Sequence, residues 1–201
     1  MIKKLIITSS RESFNYILSN SDCKINTEKT HFTIYDAFLK FDESWEEALI
    51  CHYSWDNIEL FELLTYVFEN YTVVKIISID TAINLNEFNA SSWDVFMPNT
   101  FVSNEELPPL FIEEVADNNY DLWDFWVLMN WFCYSSISEI NEEIIEKVKE
   151  NSCDIIDRNA YAIVTKADIQ GLKDKTIIIR WIDTENEIIH RNMFEVLELI
   201  Y

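Results

Sequence analysis

"TVVKIISI", residues 72–79, is β-branched nearly throughout and is bounded by Asn70 and Asp80. A continuous apolar run of this length, not an alternating one, is the pattern of a strand covered on both faces, so it is expected at the centre of a sheet. The segment just before it reads differently. Asp56 followed by Glu59 marks a helix start, and Ile58, Leu60, Phe61, Leu64, Val67 and Phe68 recur at helical spacing through "NIELFELLTYVFENY". A helix that feeds a central strand sets the expectation for the whole chain: an α+β fold, a mixed or largely antiparallel sheet packed with several helices, in a single domain spanning 1–201.

Working outward, "IKKLIIT" (2–8) reads as a first strand followed by a short helix from about Ser10 to Leu18, and "HFTIYDAFLKF" (31–41) as the next strand. Ser44 with Glu47 fits a capping box, with a strand through "EALICHY" as the alternative. Residues 80–104, rich in Asn and Ser, read as an extended loop. Pro108 and Pro109 suit the first turn of a helix through "LFIEEVAD". In "NNYDLWDFWVLMNWFCYSS" (118–136), Leu122, Phe125, Trp126, Met129 and Phe132 recur at spacings of three and four, which predicts a second helix. Residues 138–150 predict a third, with Ile140, Ile144, Ile145 and Val148 as its inner stripe. "AYAIVT" (160–165) and "KTIIIRWID" (175–183) read as strands, with "EIIHRN" returning as a hairpin partner before a terminal apolar helix or strand.

Composition excludes several functions. The chain has one glycine, Gly171, where about fourteen would be average; a phosphate-cradling P-loop and a dinucleotide fingerprint both need several at fixed spacing. The opening "MIKKLIITSS" has too short an apolar run for a signal peptide, and no stretch approaches a membrane span. Cys23, Cys51, Cys133 and Cys153 are far apart and include no C-x-x-C pair, which points to reduced thiols in a cytoplasmic protein with no structural zinc.

The net charge of -21 is unevenly placed. Residues 41–146 hold 22 carboxylates and one Lys or Arg, Lys75; between Lys75 and Lys147 there are 14 carboxylates and no Lys, Arg or His. Surfaces usually mix signs, because mixing relieves self-repulsion. Such a belt argues against binding nucleic acid or an anionic membrane, and for a basic protein partner whose binding weakens as salt rises. For catalysis, His31, His52 and His190 form no H-x-x-x-H or H-E-x-x-H pattern, and Cys51 next to His52 is no nucleophile–base pair by spacing alone. A two-carboxylate enzyme site remains open in a chain so rich in Asp and Glu, and no calcium loop is present. No metal or cofactor is expected.

A chain with a one-sided acidic belt, aromatics among carboxylates and no catalytic motif resembles the immunity proteins of bacterial toxin systems. "NNYDLWDFW" (118–126) is similar to the acidic, aromatic helix of barstar, a ribonuclease inhibitor. The resemblance implies neutralisation of a basic toxin, such as a nuclease, by stoichiometric binding. The expected contact residues are Glu105, Glu106, Glu113, Glu114, Asp117, Asp121 and Asp124 for charge, with Trp123 and Trp126 as anchors. The alternatives are a phage-type DNA mimic that inhibits a restriction or CRISPR nuclease, and an enzyme with an acidic substrate pocket.

Overall fold

The computed structural model describes residues 2–28, 32–40, 45–54, 56–84, 94–105, 107–112, 120–121, 126–136, 140–182 and 187–200. The elements run β1 (Ile2–Thr8), α1 (Arg11–Ser19), β2 (Ser21–Glu28), β3 (Phe32–Lys40), β4 (Trp45–Tyr53), α2 (Asn57–Asn70), β5 (Thr72–Asn84), β6 (Val95–Ser103), β7 (Leu110–Phe111), β8 (Tyr120–Asp121), β9 (Trp126–Ser135), α3 (Glu142–Glu150), β10 (Ile155–Asp157), α4 (Ala160–Ile169), β11 (Thr176–Ile182) and α5 (Glu187–Ile200). The sheet is mixed, in the order β10-β9-β6-β11-β5-β1-β4-β3-β2. Strands β4, β1, β5 and β11 lie parallel in its middle. The far end of β5 also pairs with β10, antiparallel, so β5, β11, β6, β9 and β10 close into a ring.

As expected for a strand at the centre, β5 is buried on both faces from Ile76 to Asp80. Ile77 and Ile79 pack with Phe14 and Ile17 of α1 and Met193, Val196 and Leu197 of α5. Ile76 and Ala82, on the other face, pack with Leu60, Leu63, Leu64 and Val67 of α2 and with Ala160, Ile163, Val164 and Ala167 of α4. The sheet is thus a middle layer between two pairs of helices, while α3 places Ile144 and Val148 against Val102, Tyr134 and Ile156. Helix α2 begins where the sequence predicts: the Asp56 carboxylate accepts the Ile58 N–H at 2.8 Å. Asp56→Ala should therefore lower stability by about 1 kcal/mol, read as a shifted urea midpoint with an unchanged slope. An unaltered midpoint would mean that water replaces the cap without loss.

Several expectations are corrected. The stretch 118–136 is not a helix, because residues 126–135 form β9, paired in parallel with β6 and β10. A strand buried on both faces carries apolar residues at nearly every position, and spacings of three and four then arise without a helix. The predicted loop 80–104 contains the end of β5 and the whole of β6, whose Val95, Phe96, Met97 and Phe101 are buried. "LFIEEVAD" starts as β7; its residues 113–117 lie outside the described ones. The alternative strand through "EALICHY" is the one observed, as β4, in place of the capping-box helix from residue 44, and "EIIHRN" belongs to the terminal helix α5, not to a hairpin partner.

"AYAIVT" is the start of α4, not a strand. The Asp157 carboxylate takes the Ala160 N–H at 3.1 Å and the Ser135 hydroxyl takes the Tyr161 N–H at 3.0 Å. Two first-turn donors that would otherwise lack partners are satisfied, and this outweighs the strand preference of Ile163, Val164 and Thr165.

The described carboxylates between Lys75 and Lys147 divide between interior and surface. Asp80 and Asp94 are buried, while Glu105, Glu142, Glu143 and Glu146 are exposed. Lys75, the lone cation of the acidic region, donates to the Ile200 carbonyl at the end of α5, where positive charge is favoured. No helix among the described residues is long and apolar enough to cross a membrane.

Candidate active site at the carboxyl ends of the parallel strands

In open α/β sheets the carboxyl ends of parallel strands are where ligands bind, because loops and helix starts converge there. Here β1 ends at Thr8 beside His52 of β4, and Arg180 of β11 lies beside Asp80 of β5. The side chains at this edge divide between the two faces of the sheet.

On the α2/α4 face is a buried ionic network. Arg180 is 0% exposed and every guanidinium nitrogen has an acceptor: Nε donates to Asp157 Oδ2 at 2.7 Å, Nη2 to Asn159 Oδ1 at 2.7 Å, and Nη1 to the Ser78 hydroxyl at 3.1 Å and the Ile179 carbonyl at 2.8 Å. Asp157 also accepts from the Ser135 hydroxyl at 2.6 Å. Asp80 accepts from the Ser9 N–H at 3.1 Å, the Ser9 hydroxyl at 2.5 Å, Asn159 Nδ2 at 2.9 Å and the Tyr53 hydroxyl at 3.4 Å. Asn159 Nδ2 also donates to the Tyr53 oxygen.

Burial raises the Asp80 pKa above the usual carboxylate range, against the opposing pull of Arg180, Ser9 and Asn159. Burial lowers that of Arg180, but Asp157 and Asp80 more than reverse this and hold the guanidinium charged. Tyr53 is pushed well up by burial and by Asp80, so it remains a phenol. With every member satisfied and nearly inaccessible, this network is a rigid floor under the strand ends.

On the α1 face, above that floor, side chains reach solvent. His52 is half-buried, its ring 5.0 Å from Phe14, which in turn meets Tyr35 edge-on at 5.6 Å. Burial, then Arg11, lower the His52 pKa, while a hydrogen bond with the Ser9 backbone and the Glu12 charge act the other way. Glu12 is exposed in the first turn of α1, 3.4 Å from the hydroxyl of Ser10, the residue that caps the helix. His190 of α5 lies near the same helix, its Nδ1 3.4 Å from the Ser13 hydroxyl and its ring against Tyr16 and Trp181. Among the described residues no three His, Cys, Asp or Glu converge as a metal site.

The residues expected from the sequence lie elsewhere. Glu105 is exposed in the turn after β6, and the backbones of Asp121 and Trp126 pair between β8 and β9. Glu106, Glu113, Glu114, Asp117, Trp123 and Asp124 lie outside the described residues. Asp80 ends the apolar run "VVKIISID" and Arg180 interrupts "TIIIRWI", so each is a charge within a strand of apolar residues. A charge in such a place must be paired or functional.

No family model matches the sequence, and no curated protein matches it. Solved structures do match. Futalosine hydrolase of Helicobacter pylori strain 26695 superposes over 100% of both chains with a TM-score of 0.73 at 13% identity. The 5′-methylthioadenosine nucleosidase of Arabidopsis thaliana covers 100% of this chain and 96% of its own, with a TM-score of 0.74 at 10% identity. This chain has the nucleosidase fold. A third nucleosidase, from Colwellia psychrerythraea 34H, acts by its name on 5′-methylthioadenosine and S-adenosylhomocysteine and was solved in complex with adenine; it covers 90% of this chain and 81% of its own, with a TM-score of 0.68 at 13% identity.

These findings correct the functional expectation. The neighbours over the whole or nearly the whole length are nucleosidases, a futalosine hydrolase and a purine nucleoside phosphorylase, not immunity proteins, and the segment similar to the barstar helix includes strand positions of that fold. The readings as a toxin inhibitor, a non-enzyme and a binder of a basic protein are withdrawn. Of the alternatives, the enzyme fits the fold.

Proposed function

We propose that this protein is an enzyme that cleaves the N-glycosidic bond of an uncharged or cationic nucleoside-like molecule at the carboxyl edge of β1, β4, β5 and β11. The observation that carries this reading is the full-length likeness in fold to nucleosidases and to a nucleoside-type hydrolase. Breaking such a bond builds positive charge on the sugar and sends an electron pair to the departing base. A site for it needs a carboxylate near the sugar, a group to take a proton from the attacking water, and exclusion of competing ions. Glu12 is an exposed carboxylate at this edge, and the half-buried His52 imidazole is beside it.

The charge of the chain narrows the substrate. A net -21 repels phosphorylated nucleotides and inorganic phosphate alike, which favours nucleosides over nucleotides and water over phosphate as the acceptor. The test is to incubate the purified protein with 5′-methylthioadenosine, S-adenosylhomocysteine, futalosine, inosine and adenosine 5′-monophosphate, with and without phosphate, and to quantify free base by chromatography. The expected result is base release from at least one nucleoside, none from the monophosphate, and no requirement for phosphate. Release from none of them would refute the proposal, and a phosphate requirement would refute hydrolysis.

A further inference from the structure

Away from the carboxyl edge, a groove of about 600 Å³ runs along α2, a size typical of small-molecule sites. Its apolar walls come from the side of the helix that Leu60, Leu63, Leu64 and Val67 leave outside the core. Phe32 of β3 lies 6.1 Å from the Tyr66 ring, and Ile58 and Phe61 extend the surface, with Ile58 67% exposed. Large apolar side chains left together in water mark a place where something binds. Neither the Arg180 network nor His52 lines this groove.

The polar lining selects the occupant. Glu62 and Glu69 are exposed in the groove, seven residues apart on α2, which separates their backbones by roughly 10 Å along the helix axis. Neither has an ion-pair partner among the described residues. The rings beside them already attract a cation of the chain itself. Lys166 of α4 holds its Nζ 4.9 Å from the centre of the Phe61 ring and 3.4 Å from the Thr65 hydroxyl, which also lines the groove. An ammonium is therefore suited to this surface, and the two carboxylates next to it are still unneutralised. A second copy of the chain is a poor occupant, because two such grooves face to face would bring Glu62 and Glu69 of both copies together against apolar surface.

We propose that the α2 groove binds a linear organic cation, with its apolar body along Ile58, Phe61 and Tyr66 and an ammonium group beside each of Glu62 and Glu69. Each ammonium gains from an unpaired carboxylate and from the negative face of a ring, and the stem covers side chains that are otherwise wet. The net charge of -21 raises the local concentration of any such cation. The site stands apart from nucleoside cleavage and does not depend on it.

The test is isothermal titration of linear diaminooctane, with an amine at each end, into the purified protein at low and at high salt, with octanediol as the uncharged counterpart. The diamine should bind at one site and weaken several-fold at high salt, and the diol should not bind. Glu62→Gln/Glu69→Gln should raise the Kd by about tenfold. Glu142→Gln/Glu146→Gln, which removes two exposed carboxylates on α3, should leave it unchanged. Equal losses in the two variants would reveal general attraction to an acidic surface and overturn the site. A diol that binds as tightly as the diamine, or a diamine that does not bind, would overturn it too. Sedimentation adds an independent check: a monomer supports the proposal, and a dimer that Ile58→Lys separates would put a second copy in the groove and refute it.

Discussion

Arg180→Met should leave the protein barely folded. The substitution keeps most of the side-chain volume but strands Asp157 in a site that is 3% exposed, and it removes the cation that opposes the burial penalty on Asp80. Breaking a buried pair by deleting one partner typically costs about 3–5 kcal/mol, because the remaining charge has neither water nor a counter-ion. For a chain of this size that corresponds to a fall of roughly 6–20 °C in Tm. Calorimetry of the variant decides it: a Tm close to the wild type's would mean that Asp157 takes up a proton or that water reaches the network without cost. The companion variant Arg180→Met/Asp157→Asn should recover part of the loss, since it removes the stranded Asp157 charge and keeps an oxygen to accept the Ala160 N–H.

The next residue along β11 carries the second prediction. Trp181 points to the opposite face, is 2% exposed, and fills the space between the sheet and Met193, Val196 and Leu197 of α5. Trp181→Ala should cost about 3–5 kcal/mol, the usual range for emptying a large aromatic site in a core that cannot collapse around it. Trp181→Phe should cost clearly less. Equal urea midpoints for the two variants would show that ring volume is not what holds α5. Adjacent residues of one strand thus secure the two helical layers by different means, ion pairing on one face and packing on the other.

Much of this architecture was legible in the residues. The α2–β5 unit follows from helical periodicity that ends in a β-branched run, and β1, α1, β3 and β11 follow from similar local signals. The failures share a cause. In β9 and β6 both faces are covered, so the period of two is lost, and Trp126 to Ser135 imitates a helix. In α4 the apolar residues Ala160, Ile163, Val164 and Ala167 did have helical spacing, but β-branching dominated the reading, and the donors to Asp157 and Ser135 come together only in three dimensions.

The site was less legible still. His52, Ser9, Asp80 and Arg180 are separated widely in sequence and meet through strand order, which no local pattern records. The net charge is not purely a surface property: part of it lies in the interior, where Asp80 and Asp157 are buried with Arg180.

The position of β11 bears on how the chain is made. Among the described residues it is the last strand in chain order, yet it sits between β5 and β6, which are completed some 75 to 100 residues earlier. Until residues 176–182 leave the ribosome, those two strands have open inner edges, and Asp80 and Asp157 have no guanidinium between them. Such a nascent chain exposes unpaired backbone and the apolar surfaces that α5 will later cover, which is the condition in which chaperones engage. Insertion of one late strand therefore closes the ring and gives the buried carboxylates their cation in a single event, and α5 then covers the remaining apolar surface.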